Sequence, residues 1–209
     1  MNCRMHCSMS NPYDVVKQFE ASLCEYTGAK YAVTTNSCTM ALLLCCAYFR
    51  KLSAFTVISI PKKTYVSVPQ SIKHAGFSVE YEDIEWTGSY RLNPLPIWDC
   101  ARAFTSGMYI AGNFQCVSFH ASKILGDSQG GAILHDDDEA DSWLRRARFD
   151  GRTEGVHPKV DNFEQVGWHC YMSNDVAARL LLKLSVLPKH NSPLPNDDYP
   201  DLSKIEVFK

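Results

Sequence analysis

The sequence predicts an α/β protein, in which helices pack against a central sheet. Helical and strand patterns alternate along most of the 209 residues. The hydrophobic fraction of 45% and the charged fraction of 21% are ordinary for a globular chain, and this length can bury one substantial core. A formal net charge of −2 offers no basic surface for nucleic acid or anionic lipid. No apolar run has the length of a membrane span.

The helices are predicted from apolar periodicity and from the residues that end them. The first begins at Asn11-Pro12 and ends at Gly28, because glycine readily takes the left-handed conformation that closes a helix. Asp136–Asp138 supply a cap and first-turn negative charge for a helix through Ala147. The remaining helices are predicted at residues 39–51, 66–75 and 173–187. Strands are predicted at residues 31–35, 55–60, 78–81, 95–98, 115–119 and 131–134.

The chain divides into three unequal parts. Residues 1–10 are predicted to be a flexible arm, without the apolar stretch of a signal peptide. Residues 11–190 form one domain. Residues 191–209 contain Pro193, Pro195 and Pro200, and this tail is predicted to be extended and to lie over a surface of the domain.

The nine cysteines indicate in which cellular compartment the protein works and whether it binds a metal. Their number is odd, and Cys45-Cys46 falls inside an apolar helical run, so buried free thiols in a reducing cytoplasm are favoured over a disulfide framework. Cys3, His6 and Cys7 have the chemistry of zinc ligands. No second ligand pair stands at the spacing of a zinc site, so no metal is predicted.

The stretch from Val117 to Ile133 is the most informative part of the chain. A strand-like run leads into a turn of small residues that contains Lys123, and Gly130-Gly131 opens the next apolar run. A lysine held at a strand end can be partly desolvated, which makes its amine a nucleophile toward carbonyl carbons. A lysine on a turn is otherwise a solvated charge, so its significance depends on the features upstream.

Two of those features also stand where strands are predicted to end. Ser37, Cys38 and Thr39 open a helix, where free backbone N–H groups and hydroxyls can bind a phosphate; the alternative is an ordinary N-terminal cap. Asp99 ends an apolar strand among small residues, where a carboxylate is costly unless it meets a cation such as a pyridinium nitrogen. The alternative is that Asp99 caps the next turn.

Two further segments contain aromatic or polar residues at junctions. Tyr65 follows Pro61 at a strand-to-helix turn, where it can stack on a flat ring or simply pack. The segment Gly167–Ser173 precedes the last helix and contains His169. Its polar residues can face a neighbouring subunit or cap that helix.

In this order the segments resemble the DegT/DnrJ/StrS family of sugar aminotransferases, which are fold type I enzymes dependent on pyridoxal 5′-phosphate (PLP). The resemblance runs from about residue 15 to residue 187, and each motif alone is weak. It implies an α/β/α sandwich around a mostly parallel sheet, in a minimal version. The matching segments are Phe19-Glu20, Tyr26–Tyr31, Ser37–Leu42, Pro61–Tyr65, Asp99–Ala101, Ser118–Lys123, Gly130–Ala132, Leu144–Gly151 and Gly167–Ser173.

The resemblance implies a role for each candidate site residue. Lys123 would form the Schiff base with PLP and move the proton, and Asp99 would pair with the pyridine nitrogen. Tyr65 would stack on the ring. The phosphate would be bound by Ser37, Cys38 and Thr39 with Ser118, and His169 would reach the phosphate of the neighbouring subunit in a homodimer with shared active sites.

Several positions depart from the family pattern. Cys38 replaces the glycine of the phosphate loop, and Arg102 places a cation where the family contacts the phenolic oxygen of the cofactor. Positions 169 and 171 are His and Tyr rather than Asn and Arg. Only residues 84–98 separate Asp83 from Asp99, where relatives have a further strand and helix. The C-terminal small domain of the family is also expected to be absent.

The sequence therefore predicts a cytoplasmic PLP-dependent aminotransferase. It would transfer an amino group from an amino acid to a keto-sugar, which is expected to be nucleotide-linked, or to a related carbonyl. Two alternatives remain. One is another PLP reaction class, such as elimination, aldol cleavage or decarboxylation. The other is a non-catalytic relative that binds a ligand or partner through the same fold.

Overall fold

The computed structural model describes residue 11, residues 13–196 and residues 199–208. The predicted arm at residues 1–10, with Cys3, His6 and Cys7, lies outside the described residues. Within them the chain forms five helices, seven strands and two short 3₁₀ turns. The helices are α1 (Asp14–Thr27), α2 (Cys38–Leu52), α3 (Ser67–His74), α4 (Asp138–Ala147) and α5 (Asn174–Ser185). The strands are β1 (Tyr31–Thr35), β2 (Val57–Pro61), β3 (Ser78–Glu82), β4 (Tyr90–Leu92), β5 (Ile97–Asp99), β6 (Phe114–Ser118) and β7 (Gly131–His135).

The main sheet has five strands in the order β1-β7-β6-β5-β4. β5 and β6 pair in parallel, whereas β7 runs antiparallel to both of its neighbours and β4 runs antiparallel to β5. The α/β class is confirmed, and the sheet is mixed: β1, β5 and β6 run in one direction, β4 and β7 in the other. The short connection at residues 93–96 explains why β4 runs antiparallel to β5, because parallel pairing needs a crossover of a dozen or more residues.

A second, two-stranded sheet contains β2 and β3 in parallel. It is joined to the main sheet by a bridge between Ser59 and Asn93, whose backbones exchange hydrogen bonds of 2.8 and 3.1 Å. The sequence did not predict β4. With three residues, this strand is too short to show an alternating pattern.

The core has two parts, one on each face of the main sheet. Ala32 and Val33 are neighbours in β1 and lie on opposite faces, as alternation in a strand requires. Ala32 packs in the cluster that contains α1 and α5, and Val33 in the cluster that contains α2, α3 and α4. The α/β/α layering is thus confirmed. None of the helices within the described ranges is long and apolar enough to cross a membrane.

The seven cysteines that the structure describes are all free thiols, and all but the half-buried Cys24 are buried. This confirms the prediction of buried free thiols for this part of the chain. The Sγ atoms of Cys45 in α2 and Cys116 in β6 lie 3.6 Å apart. Burial raises the pKa of both thiols, so they are neutral groups that pack the helix against the sheet.

A buried ion-pair network ties α1 to β1 and α4. The Oε1 atom of Glu20 accepts hydrogen bonds from the Thr34 N–H at 2.9 Å and the Thr34 hydroxyl at 2.8 Å, and it also contacts the Arg148 guanidinium. Oε2 accepts from Arg145 at 2.7 Å, and Arg148 also pairs with Glu154 at 2.8 Å. Burial would raise the pKa of Glu20, but Arg148 and Arg145 hold it below its ordinary value. The Phe19-Glu20 and Leu144–Gly151 segments therefore meet in space.

Replacing Glu20 by Gln should lower the free energy of unfolding by about 3–5 kcal/mol, because it leaves the fully buried Arg148 short of a compensating charge. Chemical denaturation at neutral pH measures this loss. Since the folded pKa of Glu20 is lowered, the difference from wild type should shrink as the pH falls below about 4. Glu25→Gln, an exposed position of the same helix, is the matched control and should change stability by less than about 0.5 kcal/mol. Equal losses in the two variants would contradict the prediction.

Candidate functional site

A cavity of about 480 Å³ lies at the edge of the main sheet where β1, β5 and β6 end. The carboxyl ends of strands that run in one direction meet at one edge, which is where α/β proteins bind ligands. Eight of the nine predicted site residues line this cavity, and His169 does not. The eight are Ser37, Cys38, Thr39, Tyr65, Asp99, Arg102, Ser118 and Lys123.

The N-terminus of α2 forms one wall of the cavity. Ser37 is the extended N-cap, and its Oγ accepts a hydrogen bond from the Met40 N–H at 3.2 Å. The first intrahelical bond is donated by the Ala41 N–H to the Ser37 carbonyl, so the amides of Cys38 and Thr39 come before the first intrahelical donor and have no acceptor within the helix. These amides and the positive end of the helix dipole suit a phosphate.

Gly130 and Gly131 allow β7 to approach this helix end closely. A Cβ atom on Gly131 would lie 2.4 Å from the Cys38 nitrogen and 2.5 Å from the Ser37 carbonyl carbon. Gly130 has a φ of +134° and forms a bridge with Ser37. A side chain at position 131 would occupy the space of the helix start, so the Gly-Gly pair is required by the close backbone packing.

Asp99 is the last residue of β5, and its carboxylate is buried beside the cavity. Oδ1 accepts from the Ala101 N–H at 2.9 Å, and Oδ2 accepts from the Tyr90 hydroxyl at 3.0 Å. The Tyr90 hydroxyl lies 2.5 Å from Thr64 Oγ1. Burial raises the pKa of Asp99, although these donors and the charge of Lys123 oppose the rise. A cation brought against this carboxylate would relieve the cost of its burial.

Lys123 lies on the loop between β6 and β7, and the loop is held from several sides. Its N–H donates to the His120 carbonyl at 2.9 Å. Gly126 keeps the turn tight, because a Cβ there would lie 2.6 Å from the Ala121 carbonyl oxygen. Asp127 then fixes the loop to α5, with Arg179 and Lys183 of that helix each 2.8 Å away.

Hydrogen bonds from Arg179 and Lys183 hold the pKa of Asp127 far below its ordinary value. Asp127 therefore stays ionised and keeps both contacts throughout the pH range in which proteins normally function. The loop that contains Lys123 is in this way attached to a rigid helix.

Arg102 follows Asp99 closely and points into the site. Its side chain lines the cavity and only 7% of the residue is exposed. Its backbone is held by the Gly88 carbonyl and by the N–H of Leu194, which donates to the Arg102 carbonyl at 2.8 Å. A permanent cation thus stands in the same cavity as Lys123 and Asp99, as the predicted contact with an anionic cofactor oxygen requires.

Three aromatic side chains form the rim of the cavity. The rings of Trp86 and Tyr199 are nearly parallel, at 11°, with centroids 6.2 Å apart. Tyr65 lies edge-on to Tyr199 at 6.4 Å and is 56% exposed. Tyr65 is therefore available to stack on a flat ring that enters the cavity.

His169 lies apart from the cavity of its own chain. Its side chain is 72% exposed, and Nδ1 lies 2.9 Å from Oδ2 of Asp150. The ring packs against Tyr171 at 4.8 Å. The N-cap of α5 is Ser173, so capping of the last helix by His169 is not observed. A role across a subunit boundary remains a prediction.

The sequence reasoning missed several residues that line or support the site. Thr64 and Tyr90 stand behind Asp99, and Trp86 and Tyr199 form the rim. Only Thr64 had a local signal, since it belongs to the Pro61–Tyr65 segment. The other three come from a short strand, a loop and the tail, and only tertiary structure brings them to the cavity.

The cavity fits PLP by its chemistry. The α2 amides suit the phosphate, the buried Asp99 suits a pyridinium, and Lys123 supplies an amine.

A second cavity of about 610 Å³ lies between α1 and α4 and is lined by charged residues of the Glu20 network. None of the predicted site residues lines that second cavity.

Solved structures with the same architecture come from several bacteria, and no curated protein matches the chain. Helicobacter pylori PseC, an aminotransferase involved in pseudoaminic acid biosynthesis, superposes with a TM-score of 0.70 at 20% identity over 82% of this chain and 57% of its own. AtS13 from Actinomadura melliaura superposes with a TM-score of 0.73 at 20% identity, over 83% of this chain and 60% of its own. The sugar aminotransferase CalS13 from Micromonospora echinospora superposes with a TM-score of 0.70 at 17% identity, over 82% of this chain and 60% of its own. At these identities the likeness shows the fold.

The chain spans less than two thirds of the length of these structures. The sequence profile of the DegT/DnrJ/EryC1/StrS aminotransferases matches residues 5–97 and 91–193, which together are most of the chain. The motifs quoted above fall within these ranges, and eight of the nine candidate residues drawn from them line one cavity. The chain belongs to the DegT/DnrJ/EryC1/StrS aminotransferase family.

Proposed function

We propose that this chain is a PLP-dependent aminotransferase that moves an amino group from an amino acid to a keto-sugar. The observation that supports this most strongly is the meeting of Lys123, Asp99 and the N-terminus of α2 in one cavity. The family assignment and the printed names of PseC and CalS13 support an aminotransferase acting in sugar chemistry. A nucleotide-linked sugar is the proposed acceptor, with a related carbonyl compound as the broader class.

PLP, when bound, supplies an aldehyde that an amine can attack and a ring that accepts electrons. Lys123 would hold this group through its Nζ atom, and the same atom would carry protons during turnover. Asp99, whose carboxylate is oriented by Tyr90 and Ala101, would hold a proton on the ring nitrogen. The α2 amides, Ser37, Thr39 and Ser118 would bind the phosphate. Tyr65 would cover one face of the ring.

The position of Arg102 supports a second candidate function. This is another PLP reaction class, such as elimination, aldol cleavage or decarboxylation. A guanidinium inside the cavity can lower the proton affinity of the nitrogen that joins lysine to cofactor. Spectra recorded with single amino donors distinguish the two candidates, because only transamination converts the cofactor to its amine form without a carbonyl acceptor.

We also propose that the chain works as a cytoplasmic homodimer with shared sites. The free, buried thiols of the described region suit a reducing compartment. His169 is exposed beside an aromatic cluster that contains Tyr13, Phe149 and Tyr171. Aromatic residues of this kind are typical of interface cores, and two-fold symmetry is the commonest assembly.

Replacing Lys123 by Ala should abolish the covalent attachment of PLP while leaving the fold intact, because this loop residue contributes little to the core. The checks are the visible absorbance band and the mass added by borohydride reduction. Lys159→Ala, an exposed lysine outside the cavity, is the matched control and should keep both. A normal, reducible band in Lys123→Ala would show that another lysine is the attachment site.

Replacing Asp99 by Asn should leave part of the PLP binding but slow turnover by on the order of 100-fold, since the amide no longer stabilises a charge on the ring nitrogen. Stopped-flow absorbance with an amino donor measures the effect. Asp83→Asn, an exposed carboxylate just after β3, serves as the control and should react at the wild-type rate. Wild-type rates in Asp99→Asn would refute the assignment.

His169→Ala should weaken PLP retention by about tenfold, the loss expected for one hydrogen bond to a charged phosphate. Dilution of the wild type below its dimer dissociation constant should have the same effect. Equilibrium dialysis and light scattering measure retention and assembly, with the exposed His157→Ala as control. A monomer that retains PLP in full would contradict the shared site.

A further inference from the structure

The C-terminal segment, residues 191–196 and 199–208, crosses the mouth of the cavity. Its two 3₁₀ turns, Leu202–Lys204 and Glu206–Phe208, place Leu202 and Phe208 in buried positions. The predicted extended tail is therefore extended only in its first part. Tyr199 of this segment lines the same cavity as Lys123 and Asp99.

The segment is anchored before Tyr199. The Leu194 N–H donates to the Arg102 carbonyl at 2.8 Å, and the Asn196 amide donates to the Trp86 carbonyl. Pro193 packs so closely on Gly88 that a Cβ there would lie 2.8 Å from the Pro193 Cβ. These contacts attach the segment directly to the residues that flank the cavity.

The segment is anchored again after Tyr199. Asp201 forms a bridge with Lys63, and the Leu202 N–H donates to the Lys62 carbonyl at 2.9 Å. Leu202 is fully buried. Tyr199 is thus held over the cavity between two fixed points, and its position is set by the fold.

Tyr199 contacts the two sides of the cavity at once. Its hydroxyl accepts a hydrogen bond from the Arg102 guanidinium at 3.4 Å, and its ring lies parallel to Trp86. Trp86 is fixed in turn by donation from Nε1 to the Lys63 carbonyl at 2.9 Å. The tail residue therefore joins the cation of the site to its aromatic rim.

We propose that Tyr199 is a positioning residue of this cavity, which orients the Arg102 guanidinium toward the bound cofactor and completes the aromatic wall with Trp86. The inference rests on the proposed function, because it assigns Tyr199 to the PLP site. It makes the C-terminal segment part of the active site of its own chain.

Two variants separate the hydroxyl from the ring. Tyr199→Phe removes the hydroxyl that contacts Arg102 and keeps the ring, and Tyr199→Ala also opens the wall. Tyr81→Phe is the control, because the Tyr81 hydroxyl donates to the Phe208 carbonyl of the same segment at 3.3 Å but lies outside the cavity. The readouts are the dissociation constant of PLP and the pH titration of its visible band, neither of which needs turnover.

A cation close to the nitrogen that joins lysine to cofactor disfavours protonation of that nitrogen. Arg102→Gln should therefore raise the pKa of this nitrogen, as read from the pH titration of the visible band. Tyr199→Phe should shift it in the same direction by a smaller amount, because the guanidinium is still present but less well held. Tyr199→Ala should in addition weaken PLP binding by about tenfold.

The outcomes distinguish this inference from the proposed function. Wild-type titration and affinity in both Tyr199 variants, matching Tyr81→Phe, would overturn the role of Tyr199 while leaving the PLP site in place. Failure of the wild type to bind PLP would overturn the proposed function, and the role of Tyr199 with it. A shift in Tyr199→Phe without one in Tyr81→Phe supports the proposal.

Discussion

The close contact between Gly131 and the N-terminus of α2 determines how the candidate site is built. β7 runs antiparallel to β1 and β6, so it begins at the edge of the sheet where those two strands end. Its first residue therefore meets the helix that follows β1, and only a glycine fits between the backbones. The same arrangement places the loop after β6, with Lys123, beside the N-terminus of α2. The direction of one strand thus brings together segments almost a hundred residues apart.

The burial of Asp99 imposes a second requirement on the fold. β4 pairs with β5 so that Tyr90 stands directly opposite Asp99, which is why the Tyr90 hydroxyl can reach the carboxylate. Burial still raises the pKa of Asp99, so the donors offset only part of the desolvation. Pairing with a pyridinium would offset the rest of the desolvation cost of the Asp99 carboxylate. The short antiparallel β4 supplies this support in the segment where the family was expected to have a longer insertion.

The sequence predicted those parts of the site that stand at strand ends, and it could not predict those that depend on distant segments. Lys123, Asp99 and Ser37 are recognisable because an apolar run precedes each of them and small or polar residues surround them. Tyr90 lies in a three-residue strand without a detectable period. Tyr199 is a hundred residues from Asp99 and reaches the cavity only because Leu194 and Leu202 are anchored on either side. The direction of β4 and β7 depends likewise on tertiary pairing, for which local patterns contain no information.

Cys38 is a further departure from the family pattern, and its surroundings explain why the cavity tolerates it. Position 38 is the first residue of α2 and its φ is not positive, so the backbone there does not require glycine. Its thiol is a second nucleophile in the cavity that contains Lys123. Burial, with a smaller contribution from Asp99, raises the pKa of Cys38 well above its ordinary value, although Lys123 opposes the rise. Because the thiolate is the reactive form, the neutral thiol does not compete with the lysine amine for an aldehyde. Burial, which also raises the pKa of Asp99, therefore keeps Cys38 as a neutral thiol beside the proposed reactive amine of Lys123.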